Sequence, residues 1–348
     1  MRRSRLSWGG PFLALLLAAC SSGSGASLPA SALPDRSALQ GAASPLAVTP
    51  GTLFAANFYS STVAVVAPGA KTTTRTISSG VSYPNSLLSG ASGSLYVGNY
   101  GAPSGSSNSS IAIYAHGGGQ PSRTIVNGVF GPFAMAFDAS QRLYVANNGG
   151  DTIAIYTRSG SQPLRTIFKD VRGPESVAID NGGNLYVANW VTDDVAVYPP
   201  GKYSPKNLIK TGIAGPAAIA LDSSKNLYVA NQRGSTVTVY AQGSFKTPKR
   251  ITDGVGKPVA LLLYSGQIFV LNFARNDVSV YDEKTLAKTG ATSGGIGCPS
   301  AMAMSRNGVL YVAGTCPSAV AVFDASTLKL ERTITKGISD PVALSVAP

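Results

Sequence analysis

Apolar residues in this chain come in short bursts, cut every few positions by Gly, Pro, Asn or Ser. The bursts alternate with period two and are rich in Val, Ile, Tyr and Phe, which is the pattern of strands. No long stretch lacks Gly and Pro, which argues against a helix-rich architecture. One burst recurs seven times: Leu53-Phe-Ala-Ala-Asn57, Leu95-Tyr-Val-Gly-Asn99, Leu143-Tyr-Val-Ala-Asn147, Leu185-Tyr-Val-Ala-Asn189, Leu227-Tyr-Val-Ala-Asn231, Ile268-Phe-Val-Leu-Asn272 and Leu310-Tyr-Val-Ala-Gly314. Successive starts lie 42, 48, 42, 42, 41 and 42 residues apart. Each copy is preceded by a Pro and small apolar residues, as in Gly173-Pro174-Glu175-Ser-Val-Ala-Ile-Asp180. Each is followed by an alternating run such as Val195-Ala-Val-Tyr198, and most by a short fourth run such as Arg165-Thr-Ile167.

Four strands in about 42 residues make one propeller blade. The expected fold is all-β: a seven-bladed β-propeller with four antiparallel strands per blade. Short connections place the start of each first strand and the end of each second strand on one face, the top. The chain ends in Pro341-Val-Ala-Leu-Ser-Val346, a first strand with no second strand after it. Blade 1 has only a stunted first-strand candidate at Pro45–Val48. The C-terminal strand is therefore expected to close the ring as the innermost strand of blade 1, covering open edges.

These motifs resemble NHL-repeat propellers, and the blades carrying Asp282-Glu-Lys-Thr-Leu and Asp324-Ala-Ser-Thr-Leu resemble YVTN-type surface propellers. The resemblance spans about 300 residues and is specific for architecture, not for activity. It implies two kinds of function. One is a binding or scaffold module; the other follows gluconolactonase-like and streptogramin-lyase-like propellers, which are enzymes with a metal or general base in the central funnel. The family Asp after Tyr-Val-Ala is here Asn in six blades and Gly314 in the seventh.

The N-terminus reads as an address. Arg2, Arg3 and Arg5 precede an apolar run, Leu13–Ala19, too short to span a bilayer. Leu17-Ala-Ala-Cys20 resembles a bacterial lipobox, which implies lipidation at Cys20. The expected organisation is a signal peptide at 1–19, a Ser/Gly/Ala/Pro tether at 20–44 and the propeller at 45–348. The chain would then be exported and anchored to the envelope, at the outer membrane or cell surface, touching membrane only through its lipid. The 39 Gly and 22 Pro and the 13% charged residues fit an ordered, turn-rich body. The net charge of +12 is scattered over outer strands and their loops. It forms no nucleic-acid motif, and none is expected as a partner.

Candidate chemistry lies where the repeat breaks. The Asn at the end of each second strand recurs in almost every blade and is expected to cap the following turn. Two top-face series vary instead. After the first-strand Pro come Asn85, Phe133, Glu175, Ala217, Val259, Ser300 and Val342. After the Asn come Phe58, Tyr100, Asn148, Trp190, Gln232, Phe273 and Thr315. Glu175, Trp190, Tyr100, Phe58, Phe273, Phe133 and Asn85 are the candidate ligand contacts, suited to a protein or carbohydrate. The alternative for the aromatics is packing between blades. Hairpin register brings Cys298 opposite Cys316, so a disulfide is expected to replace the missing Asn in blade 7. No catalytic residue, metal ligand or cofactor is expected. The only histidine, His116, follows a third strand on the bottom face, out of reach of the funnel. The insertion Gly101–Ser110 extends one top loop. The expected role is a monomeric binding or scaffold module displayed from the envelope; the alternative is a metal-dependent lactonase or lyase using the funnel through Glu175.

Overall fold

The computed structural model describes residues 48–101, 108–116 and 118–348. The signal segment, Cys20, the tether, Pro45 and residues 102–107 of the insertion lie outside the described residues. Seven four-stranded antiparallel sheets form the ring. Blade 4 shows the plan, with Pro174–Ile179 innermost, then Leu185–Asn189, Asp194–Tyr198 and a short outer strand, Asn207–Ile209. The other inner strands are Pro84–Ser89, Pro132–Phe137, Pro216–Leu221, Pro258–Tyr264, Pro299–Met304 and Pro341–Val346.

The C-terminal strand closes the ring. Pro341–Val346 pairs antiparallel with Leu53–Asn57, setting Leu53 against Val346 and Ala55 against Leu344. Ala347 continues the seam through hydrogen bonds with Gly51 and Thr52.

The second strands are buried along their whole length in blades 1 to 5. Alternation persists, but both faces are covered, because each sheet packs against a neighbour on either side. Tyr186 and Ala188 join the apolar cluster shared with blade 5, while Leu185 and Val187 join the one shared with blade 3. Seven clusters result, one per interface between neighbouring blades. Among the described residues every apolar cluster lies at one of these seams, so a blade cannot bury its faces alone.

Buried hydroxyls tie the seams further. Tyr114, Tyr156, Tyr198, Tyr240 and Tyr281 each donate to a backbone carbonyl 28 to 35 residues earlier, in the connection leading out of the preceding blade.

Candidate functional site

Each inner strand begins the same way. The residue before its Pro has a left-handed backbone, with φ between 45° and 59° at Tyr83, Gly131, Gly173, Gly215, Lys257, Cys298 and Asp340. Its N–H donates to a side-chain oxygen 22 residues earlier, in the top loop of the preceding blade: Ser61, Ser109, Asp151, Asp193, Ser235, Asn276 and Ser318. These seven bonds stitch blade to blade around the top. Sequence reading missed them, although an oxygen-bearing side chain at a constant spacing of 22 from the pre-Pro position was a readable signal.

Directly after the Pro, the ladder slips in all seven blades. Pro174 pairs with Asn189 and Ser176 with Ala188, which leaves Glu175 as an extra, bulged residue. The same shift occurs at the other six inner strands. A bulge frees its residue from pairing and re-aims the side chain. Here the seven bulged residues (Asn85, Phe133, Glu175, Ala217, Val259, Ser300 and Val342) all line one central cavity of about 320 Å³. Phe58 and the next residues of several inner strands, among them Ser86, Met135 and Met302, complete its wall.

The candidate ligand contacts therefore divide. Glu175, Asn85, Phe133 and Phe58 meet at the cavity; Tyr100, Trp190 and Phe273 do not line it. These three pack between blades because their position follows the strand end and leans on the next blade's entry. Trp190 lies over Gly215, where a Cβ would come 2.9 Å from the ring. The Arg233 guanidinium covers Trp190 at 4.8 Å and pairs with Asp193 at 2.6 Å. Tyr100 packs in the same way against Gly131, and Phe273 joins the cluster between blades 6 and 7. Phe58 is itself mostly covered, with its ring edge-on to Tyr83 at 5.4 Å.

The recurrent asparagines are structural, but the expected partner needs correcting. They clamp the loop entering their own blade and do not bond the backbone of the turn that follows; that loop lies 16 to 19 residues earlier in five blades and, for Asn57, in the chain's last turn at Gly337 and Ser339. Asn147 Oδ1 accepts from the Phe130 N–H at 3.0 Å and Nδ2 donates to the Gly128 carbonyl at 2.8 Å. Asn57, Asn99, Asn189 and Asn272 repeat both bonds, and Asn231 repeats the first. Contact with the following turn is limited to side chains, such as Thr152 Oγ1. Asn147→Ala is expected to cost about 2–4 kcal/mol in urea unfolding, since it strands two backbone groups. A loss below about 1 kcal/mol would show that the loop is held by other contacts.

Blade 7 solves the same problem differently. Gly314 lets the loop collapse onto the strand, since a Cβ there would meet the Gly297 carbonyl at 2.5 Å. Cys298 and Cys316 form a disulfide across this collapsed loop, with Cα atoms 5.2 Å apart. Asp138, Asp180 and Asp222 accept backbone N–H bonds in their own hairpin turns, which accounts for their recurrence.

Within the cavity the electrostatics centre on Glu175. It is 7% exposed, and its Oε1 has no hydrogen-bond partner. Burial pushes its pKa up to about 8, so the carboxyl holds its proton at neutral pH. Two further buried atoms of the wall lack partners, Asn85 Nδ2 and Ser86 Oγ. Ser86 was not among the sequence candidates. The signal was its cross-strand partner Gly98, where other blades carry Ala or Leu, which leaves room for the hydroxyl.

Fold comparison gives a consistent picture. The chain is a seven-bladed β-propeller. A protein from Bacteroides uniformis, provisionally named a 6-phosphogluconolactonase, superposes with a TM-score of 0.68 at 14% identity, over 85% of this chain and 99% of that one. One from Bacteroides fragilis with the same provisional name gives 0.67 at 16% identity, over 86% and 98%. A protein of unknown function from Desulfotomaculum acetoxidans gives 0.68 at 11% identity, over 85% and 99%. At these identities the likeness is one of fold. No protein-family profile matches the chain, and no curated protein matches it in sequence.

Proposed function

We propose that this propeller is a binding module whose ligand site is the central cavity, displayed outside the cytoplasm from a lipid at Cys20. The observation that carries the reading is the cavity itself. All seven bulged positions, which vary from blade to blade, contribute to its wall, and three of its lining residues carry buried polar atoms without partners. Fold devices in this chain repeat from blade to blade and are satisfied; these atoms do neither. The ligand is a small molecule, or a projecting group of a protein or glycan, entering from the top. Export is supported by the lipobox-like Leu17–Cys20 and by the Cys298–Cys316 disulfide, which persists in oxidising compartments.

The lactonase alternative draws on the fold neighbours. The cavity chemistry does not favour it for a phosphorylated sugar, because no Lys, Arg or His is among the lining residues. A resident divalent ion fits poorly as well. Glu175 is the single lining carboxylate, where calcium takes six to eight oxygens. A direct test combines a thermal-shift screen of amines, sugars, lactones and short peptides with a 6-phosphogluconolactone hydrolysis assay. A hit is expected to raise the melting temperature of the intact chain but not of Ala217→Trp, which fills the cavity. Turnover of the lactone above its spontaneous rate, or hits indifferent to the Trp, would overturn the reading.

A further inference from the structure

The unpartnered groups of the cavity define a ligand chemistry. Glu175 is the only ionisable residue in its wall. The equivalent positions in the neighbouring blades are Phe133 and Ala217, and no cationic residue lines the cavity to neutralise the carboxyl. An anion entering this wall would lose its hydration with no cation to receive it. A divalent metal would find too few oxygens. An ammonium group answers the site. It supplies N–H donors and a charge to a carboxylate in a weakly screened pocket, where a charge-assisted bond is strong. Phe58 and Phe133 add aromatic surface, which suits the apolar part of such a ligand and attracts its cation. Asn85 Nδ2 is a buried donor without an acceptor, and the Ser86 hydroxyl is free to donate as well. The ligand therefore carries an oxygen acceptor as well as its nitrogen.

We propose that the central cavity takes a small organic ammonium ion bearing a hydroxyl or carbonyl, with the Glu175 carboxylate as its counter-ion and Asn85 and Ser86 donating to its oxygen. The inference rests on the cavity being the ligand site. Binding then carries a proton balance. The free site holds its carboxyl protonated, because burial alone raises the pKa to about 8. Binding of R–NH3+ expels that proton to solvent and leaves a carboxylate–ammonium pair. The strands packed against Pro174–Ile179 are Pro132–Phe137, Leu143–Asn147, Leu185–Asn189 and Pro216–Leu221. Their only titratable side chains are Tyr144 and Tyr186, whose phenols burial pushes further up. Glu175 is thus the group that releases the proton.

The test is calorimetric titration of the full chain with three matched probes: phenylalaninol (an ammonium), 3-phenyl-1,2-propanediol (its neutral counterpart) and 3-phenyllactate (an anion). Phenylalaninol is expected to bind at least tenfold tighter than either of the others. Buffers of different ionisation enthalpy should report release of close to one proton at pH 7, and affinity should rise roughly tenfold from pH 6 to pH 7 before levelling above pH 8. Glu175→Gln is expected to lose at least tenfold in affinity for phenylalaninol. Proton release by the unaltered chain tests the same point independently of that variant. If the diol binds as well as the amine, without proton release, and Ala217→Trp abolishes its binding, the cavity reading stands and the ammonium inference falls. If no probe binds, or binding survives Ala217→Trp, both fall.

Discussion

Deleting Pro341–Pro348 is expected to lower the melting temperature by at least about 15 °C or to abolish cooperative melting. The segment is the innermost strand of blade 1, and it touches three blades. It pairs with Leu53–Asn57. Leu344 packs into the cluster with Ala303 and Tyr311 of blade 7, and Ser345 Oγ bonds Ser89 of blade 2 at 2.7 Å. Ser300 Oγ donates to the Pro341 carbonyl across the same seam. Val342, Ala343 and Leu344 form part of the cavity wall. Truncating one buried Leu typically costs about 2–5 kcal/mol. Losing the whole strand, with its ladder, reaches on the order of 5–10 kcal/mol, comparable with the entire 5–15 kcal/mol of a typical fold. In a body of this size each kcal/mol moves the midpoint by about 2–4 °C. The deletion also bares the edge of Leu53–Asn57, so the truncated chain should aggregate. A synthetic Pro341–Pro348 peptide added in excess should restore part of the loss by mass action. Equal melting of truncated and intact chains would mean that the ring is not closed by its tail.

That closure was legible because it needs only counting. Seven Leu-Tyr-Val-Ala-Asn copies against an orphan first strand at the end fix which strand is missing and where it goes. The positions after the invariant Pro were legible as a varying series, whereas the bulge that turns all seven toward the cavity is visible only in the ladders. The aromatic series was ambiguous. Phe58, Tyr100, Trp190 and Phe273 occupy one repeat position, yet only Phe58 reaches the cavity. Where such a ring points depends on the next blade's entry, which for Trp190 offers the bare backbone of Gly215 and the Arg233 guanidinium. That geometry joins Trp190 to residues 25 and 43 positions further along, in the next blade, and is absent from either repeat alone. The asparagines misled in direction for a related reason. Local turn chemistry points to the next turn, whereas the unsatisfied backbone groups lay in the loop entering the same blade, which for Asn57 is at the far end of the chain.

Glu175→Gln is expected to stabilise the ligand-free chain by about 3 kcal/mol at pH 7, with the gain vanishing near pH 4. The carboxyl titrates near its ordinary 4.5 when unfolded and at about 8 when folded. Between those values the folded state holds a proton that the unfolded state has released, so stability falls as pH rises through the window. Each unit of the interval is worth about 1.4 kcal/mol, which gives about 3 kcal/mol at pH 7 and a plateau near 5 above pH 8. Gln has the same shape and never ionises, so the difference between the two chains isolates this term. Urea unfolding of both at pH 4, 7 and 8.5 measures it directly. A gap that stays constant with pH would show that Glu175 is solvated or paired when folded. The sign separates two roles for a buried acid. An acid that served the fold would be paired, its pKa would be depressed, and its replacement would destabilise above pH 4. Glu175 has no partner, and at the same position blade 5 carries Ala217 and blade 6 Val259. The fold thus runs without a carboxyl there. Saturation with a cationic ligand should cancel the penalty and flatten the pH dependence of the intact chain, while Glu175→Gln stays flat with or without it.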